Sequence, residues 1–478
     1  MNDPISFAPA SAEIFLATAA CIVLLVDLFL SERARVVGYW LALATLAGTA
    51  LVLMLTAPDG RVVALHGAFV ADPLSQVLKL FTCAVVAVTF LYSRDYLRAR
   101  SLFKGEYYVL GLFATLGIFV MISAHSMLSL YLGLELMSLS LYAMVAFNRE
   151  SPMAAEAAMK YFILGAIATG CFLYGTSILY GVTGSIDLGE IARRATELDG
   201  LDLHVLIALS FILVGVAFKF GAVPFHMWLP DVYQGASTPV TLFIGTAAKI
   251  ASLAMIVRVL VEGLGALQPS WSGMLAVLAV LSMVIGNVVA IAQSNIKRML
   301  AYSTISHVGF ILLGILAGTA AGLQAAIYYT LAYVIMSGAA FGMVILLSRE
   351  GFEAEQLDDF RGLNVRSPWF AAIMLVVMFS MAGVPPLLGF YAKYAVLLAI
   401  VEVGYVGLAI AGVLFSVVGA FYYLRVVKLM YFDDPVDSRP LVAGQDLRLV
   451  LSANGLLILA LGIFPQALIA LSLRAAGL

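Results

Sequence analysis

Charge is the scarcest feature of this chain. Asp, Glu, Lys and Arg make up 11% of its 478 residues, against about 25% in a soluble globular protein, so a water-soluble fold is excluded. Cysteine is nearly absent too. Cys21, Cys83 and Cys171 lie far apart in apolar runs, without metal-binding spacing, and read as small core or lipid-facing residues. No haem-attachment or Cys-rich cluster motif occurs, no Gly-rich nucleotide loop follows a strand, and there is no Walker lysine. The chain carries no visible energy source of its own, so any pumping must be driven by a partner or an ion gradient. A formal net charge of −2, with no basic tail and no Ser-rich or Gln-rich tract, gives no hint of a nucleic-acid partner. Met1–Ala10 lacks a basic n-region, and the run from Ser11 to Leu30 is long enough to span a bilayer. It reads as a retained first helix.

What is abundant is apolar sequence: 63% of residues are hydrophobic and the mean hydropathy is +1.05. The fold class is an all-α polytopic membrane protein. Apolar runs of about 20 residues mark about fourteen transmembrane helices: 11–30, 36–57, 74–93, 107–124, 125–147, 153–182, 203–227, 232–262, 272–292, 298–318, 323–348, 367–400, 402–431 and 446–472. The fourth and fifth are split at Ala124-His125-Ser126, a small polar turn suited to a tight helix connection. Basic residues gather on the odd-numbered connections, among them Arg33, Arg35, Arg94, Arg98, Arg100, Lys104, Arg349, Arg361 and Arg366. By the positive-inside bias both termini then lie on the periplasmic side of a bacterial inner membrane. The acidic, partly amphipathic Ile186–Asp202 connection reads as a short interfacial helix on that outer face.

The second half echoes the first. Gly221-Ala222-Val223-Pro224 resembles Gly383-Val384-Pro385-Pro386, with Pro224 and Pro385 read as counterparts and a lysine near each. The expected organisation is three N-terminal helices (1–106), a five-helix repeat (107–262), a second five-helix repeat (272–431) and a C-terminal helix (432–478). Five spans is an odd number, so the two repeats are inverted. Inverted repeats with broken helices are a transporter architecture with its site near the membrane midplane.

Ionisable groups inside spans carry the functional reading. Lys160, Lys219, Lys249 and Lys393 lie in otherwise apolar segments, where each lysine costs roughly 2.5–3.5 kcal/mol on insertion scales. Lys249 is about 18 Å from either end of its helix, too deep to snorkel; the bland alternative is satisfaction by backbone carbonyls. Lys219 precedes, and Lys393 follows, a proline interruption that frees backbone carbonyls. Such a break could equally be a packing kink. Glu135 is well inside the fifth span; unpaired it would be neutral, since desolvation disfavours the carboxylate, and beside a lysine it would be ionised and would hold the lysine charged. Glu156 and Lys160, at i and i+4, share one helix face, as a relay or as a structural pair. His226 and His307 are accessory candidates, since histidine relays protons near neutral pH; a hydrogen-bonded structural role is equally open. Tyr302, Ser303, Thr304 and Ser306 surround His307 with hydroxyls. Moving a carboxylate toward or away from a buried lysine would switch proton uptake and release.

The stretch Phe218 to Ala236, with Lys219, Gly221, Pro224, His226, Trp228, Pro230 and Gly235, resembles the signature of the antiporter-like membrane subunits of respiratory complex I, and most of all their subunit N group. Thr238-Pro239-Val240, the Glu156–Phe162 segment and Pro385-Pro386-Leu387-Leu388-Gly389-Phe390 fit as well, so the likeness covers nearly the whole chain. The resemblance implies a proton-translocating subunit of NADH:quinone oxidoreductase, with Glu135, Lys219, Lys249 and Lys393 as its proton-carrying residues. It implies no redox centre here; NADH, FMN, iron–sulfur clusters and quinone would belong to partner subunits. The implied neighbours are subunit M, the small subunit K, the lateral helix of subunit L and membrane lipid. Lys393, where subunit M has a glutamate, and an end soon after the fourteenth span, without the lateral helix of subunit L, separate this chain from those relatives. Ser237 departs from a proline common in the family. Cation/proton antiporter and membrane-bound hydrogenase chains share much of the pattern, and are the alternative hosts.

Overall fold

The structure is a computed structural model and describes residues 7–58, 60–436, 439, 441 and 443–478. Its helices are α1 (Ser11–Asp27), α2 (Val36–Leu55), α3 (Pro73–Ala99), α4 (Gly105–Ile122), α5 (Met127–Val145), α6 (Pro152–Thr183), α7 (Leu188–Ala195), α8 (Leu203–Phe220), α9 (Trp228–Gly235), α10 (Thr238–Gly245), α11 (Ala247–Ile256), α12 (Gln268–Ile291), α13 (Ile296–Leu316), α14 (Ala320–Leu347), α15 (Leu363–Arg366), α16 (Pro368–Ala382), α17 (Leu388–Glu402), α18 (Val406–Phe432), α19 (Gln445–Ile463) and α20 (Gln466–Ala476). One short antiparallel hairpin, β1 (Val62–Ala64) with β2 (Phe69–Ala71), pairs Val63 with Val70. Bridges from Phe69 to Ala124 and from Ser126 to Asp187 knit three even-numbered connections together on one face.

Among the described residues thirteen helical stretches are long and apolar enough to cross a membrane. The expected twelfth span, 367–400, brings the number to fourteen and is divided into α16 and α17 of 15 residues each. Two other boundaries move. The seventh and eighth spans do not meet at 228–231: α8 ends at Gly221, α9 fills Trp228–Gly235, and the next helix begins at Thr238 with Pro239 in its first turn. The stretch 446–472 breaks at Phe464-Pro465 into α19 and α20. In each case a proline, which has no N–H to give a helix interior, marks the restart. The turn at 124–126 forms as expected, with Ser126 and Ser129 making a reciprocal cap on α5. The outer connection holds α7, where Arg193 and Arg194 beside Glu190 bring its carboxyl down to about 2.

Burial sorts the helices into a centre and a rim. An 18-residue stretch of the run Thr238–Gly263 and one of α14 are buried throughout, and α13 nearly so. The helices α1, α6, α18 and α19 keep apolar faces outward, with Leu25, Ile167, Val417 and Leu456 exposed. Helices apolar on every side suit a membrane bundle, where inner and outer surfaces need the same chemistry. Two hairpins cross at glycine. A Cβ on Gly117 of α4 would lie 2.8 Å from Gly133 O of α5, and one on Gly286 of α12 would lie 2.8 Å from Tyr302 O of α13. Small residues let the backbones approach this closely.

Candidate functional site

Helix α8 ends inside the protein, and its last carbonyls would be orphaned there. Gly221 takes φ +76°, which only glycine adopts freely, and turns the chain out of the helix. Three side chains then satisfy the exposed carbonyls. Trp228 Nε1 donates to Phe218 O at 3.0 Å, Ser252 Oγ to Lys219 O at 3.2 Å, and Lys249 Nζ to Phe220 O at 2.8 Å. Lys249 is 1% exposed. An ammonium at a helix C-terminus meets the negative end of the helix dipole, and the Trp228 ring 5.8 Å away adds a cation–π contact. Just before Lys249 the eighth span itself breaks: Thr246, at φ −122° and ψ −81°, separates α10 from α11.

Lys219 occupies the last turn of α8 and is also buried. Its Nζ donates to Ser138 Oγ of α5 at 2.7 Å. Ser138 is one turn beyond Glu135, which is half-buried on the same helix and accepts from Thr169 Oγ1 at 3.0 Å. Among the described residues no ion pair joins Glu135 to a lysine; Lys219 is tied to the acid's helix and not to the acid.

The second break repeats the first. Gly383, at φ +90°, ends α16, and Lys393 Nζ donates to Ala382 O, the last carbonyl of that helix, at 2.8 Å. Ser416 Oγ of α18 takes a second hydrogen bond at 2.8 Å. Matching glycine to glycine and capped carbonyl to capped carbonyl pairs Pro224 with Pro386, so the Pro224–Pro385 correspondence expected from the sequence shifts by one residue. Lys393 therefore resembles Lys249 in its contact, although it follows the break as Lys219 precedes one.

His307 on α13 lies near Lys393, with Phe310, one turn along α13, 5.4 Å from the Lys393 ammonium. The imidazole is buried between two phenols, Nδ1 at 2.7 Å from Tyr329 Oη and Nε2 at 3.0 Å from Tyr423 Oη. Tyr423 meets Ser303 at 2.5 Å and Thr304 meets Tyr333 at 2.7 Å. Of the hydroxyls expected around His307, Ser303 joins a buried chain Ser303–Tyr423–His307–Tyr329, while Thr304 pairs separately with Tyr333; Tyr329, Tyr333 and Tyr423 come from other helices.

Glu156 and Lys160 do share a helix face, with an ion pair of 2.7 Å. Lys160 also binds Asp231 at 2.8 Å, and Asp231 binds Arg298 at 2.7 Å. This group is partly exposed, at the end of the bundle that carries the basic connections. His226 is half-buried in the turn between α8 and α9, its ring 6.5 Å from Tyr302.

Sequence reasoning passed over three buried ionic groups. Lys79 of α3 pairs with Glu13 of α1, both nearly inaccessible. Arg258, fully buried beyond α11, forks onto Asp72 at 2.7 and 2.9 Å, pairs with Glu262, and donates to Ile122 O at 2.9 Å. Lys297 of α13 donates to Ala236 O at 3.0 Å. The signal for Lys79 and Arg258 was the one that found the other lysines, a charge within an apolar run.

Broken membrane helices with ammonium groups on their freed carbonyls, sealed inside an apolar bundle, define an antiporter-like ion-translocation fold. The family model for NADH:quinone oxidoreductase/Mrp antiporter membrane proteins matches residues 124–419. The chain belongs to that family, within its subunit N group: the NADH-quinone oxidoreductase subunit N of Thioalkalivibrio sulfidiphilus is 61% identical over 468 residues, spanning 98% of this chain and 97% of the relative. A chain of respiratory complex I from Thermus thermophilus with bound aureothin is 33% identical with a TM-score of 0.83, covering 96% of this chain and 98% of that one. A chain of the Mrp complex from Dietzia is 22% identical with a TM-score of 0.86, covering 98% and 96%, and shares the fold.

Proposed function

We propose that protons cross the membrane through this chain by way of Glu135, Lys219, Lys249 and Lys393. The chain is a proton-translocating membrane subunit of NADH:quinone oxidoreductase, and partner subunits oxidise NADH and reduce quinone. The observation that carries the residue assignment is the pair of broken helices, each ending on a buried lysine. A lysine in that position can give up its proton, because the dipole and carbonyl that favour the ammonium are opposed by loss of hydration. Movement of either helix end changes that balance, and so changes proton affinity.

Residues 107–262 and 272–431 form two inverted five-helix repeats between the N-terminal helices (1–106) and the C-terminal segment (432–478). The matching glycine crossings support that division. FMN, iron–sulfur clusters and quinone are held by partner subunits. Subunits M and K and the lateral helix of subunit L are neighbours, and both termini face the periplasm across a bacterial inner membrane. His307 with its phenols, His226, and the Glu156–Lys160 pair are accessory.

The test is NADH-driven proton uptake by inverted membrane vesicles carrying Lys219→Ala, with complex assembly followed on native gels. Loss of both pumping and NADH:quinone turnover in a fully assembled complex is expected. Normal pumping and turnover would remove Lys219 from the path.

A further inference from the structure

The helices α3, α14 and α19 enclose a groove that the proton path does not use. In its deeper part, a cavity of about 380 Å³ lies between Phe81–Thr89 of α3, Val334–Gly338 of α14 and Val450–Leu457 of α19, with Leu242 and Thr246 as its floor. Exposed Ala84, Ala453 and Leu457 line its mouth, so it opens sideways from the bundle. A second cavity of about 440 Å³ continues along the same three elements, lined by Asp95, Arg98, Ser348, Arg349, Glu350 and Gly444, with others. Along α19 the two are one turn apart, from Val450 to Leu447, about 4.5 Å.

We propose that this groove binds one membrane phospholipid with a zwitterionic, ammonium-bearing headgroup, its acyl chain in the deep slot and its headgroup in the outer cavity. Chemistry selects the occupant of the slot. The polar groups lining the slot are already satisfied: Thr89 Oγ1 donates to Val85 O, Thr246 Oγ1 to Leu242 O, and the Asn454 amide, oriented to suit its neighbours, donates to Ile335 O and accepts from Ala339 N. The slot therefore demands no hydrogen bond of its occupant.

The outer cavity is different in kind. Arg98 stands in the last turn of α3 and Arg349 just beyond the end of α14, at the level where an interface belongs. Guanidinium groups suit a phosphate. Asp95 and Glu350 line the same space and suit a cation, so the site offers both signs that such a headgroup carries. The slot floor is Thr246, the break three residues before Lys249, so the acyl chain covers that irregular backbone from the side.

The experiment uses the intact purified complex in phosphatidylcholine nanodiscs doped with phosphatidylethanolamine carrying a diazirine near one acyl end. After photolysis, labelled peptides are mapped by mass spectrometry. Labelling concentrated on residues 81–89 and 450–457 is expected. It should fall roughly tenfold in Ala453→Phe, as loss of about two buried methylenes predicts. Glu350→Gln, which removes a carboxylate offered to the ammonium, should abolish the preference for this probe over the same diazirine on phosphatidylglycerol. Ala453 lies at the exposed mouth, so the variant complex is expected to assemble; an Ala84→Phe variant provides the same block from the opposite wall. Labelling spread evenly over the outward faces of α1, α6 and α18 would overturn the proposal. So would equal capture of both lipids by the unaltered complex, or a cross-link from the slot to a helix of a neighbouring subunit.

Discussion

The two helix breaks solve one problem with different parts. After α8 and after α16, a left-handed glycine ends the helix and a lysine takes the last carbonyl at 2.8 Å. At the first break that lysine, Lys249, comes from the next span. At the second, Lys393 comes from the far half of the same broken span, and the following helix contributes only the Ser416 hydroxyl. The first break has another lysine, Lys219, two residues before its glycine; the second has Met381 in that place. The glycine crossings extend the correspondence: equal register along the α4–α5 and α12–α13 hairpins sets Glu135 against Thr304 and Ser138 against His307. One half thus has an acid, a hydroxyl and two lysines, and the other a histidine, phenols and one lysine. A shared backbone fixes where a charge can be held, while the side chains decide what carries it.

The strongest way to break this comparison is to make the halves alike. Met381→Lys puts a second ammonium beside Ala382, in a pocket built for a thioether, at roughly 2.5–3.5 kcal/mol. Assembled complex on native gels should fall sharply, and normal assembly would mean that the second half can hold the pair after all. Next come the shared lysines. Lys249→Met leaves Phe220 O buried without that donor, a loss of about 1–3 kcal/mol, and NADH-driven pumping should drop roughly tenfold or more. Lys393→Met should impair pumping in the same way, and a variant that pumps normally would end the equivalence of the two contacts.

Gly221→Ala and Gly383→Ala sharpen it further. Each forces a side chain into left-handed backbone at about 1–2 kcal/mol. At Gly221 the new methyl strikes Leu229, an apolar contact, whereas at Gly383 it lies 3.0 Å from Lys393 Cδ. The thermal midpoint should fall in both, but the pH profile of turnover should move only in Gly383→Ala. The smallest effect is expected from Tyr423→Phe, which removes one partner of His307 at about 0.5–1.5 kcal/mol. Turnover should slow a few-fold with assembly intact, and an unchanged rate would reduce the phenol chain to packing.

Composition alone determined that this chain lives in a membrane, because so little charge and so many apolar runs leave no other solvent. The sequence also placed Lys249 deep, since its distance from either span end is counted along the chain, whereas Lys160, read as another lysine inside a span, is partly exposed at the end of the bundle. The glycine-proline stretches announced both breaks, because a residue without an N–H and one without a Cβ act locally. Only the tertiary structure decided which lysine serves which break. Lys249 reaches Phe220 across helices, and His307 is held by Tyr329 of the next helix and by Tyr423, 116 positions away. The buried Arg258–Asp72 fork joins residues 186 positions apart. Hydrogen bonds of this kind are set by how helices pack, and a membrane bundle whose faces are nearly all apolar writes almost none of that packing into its hydrophobic pattern.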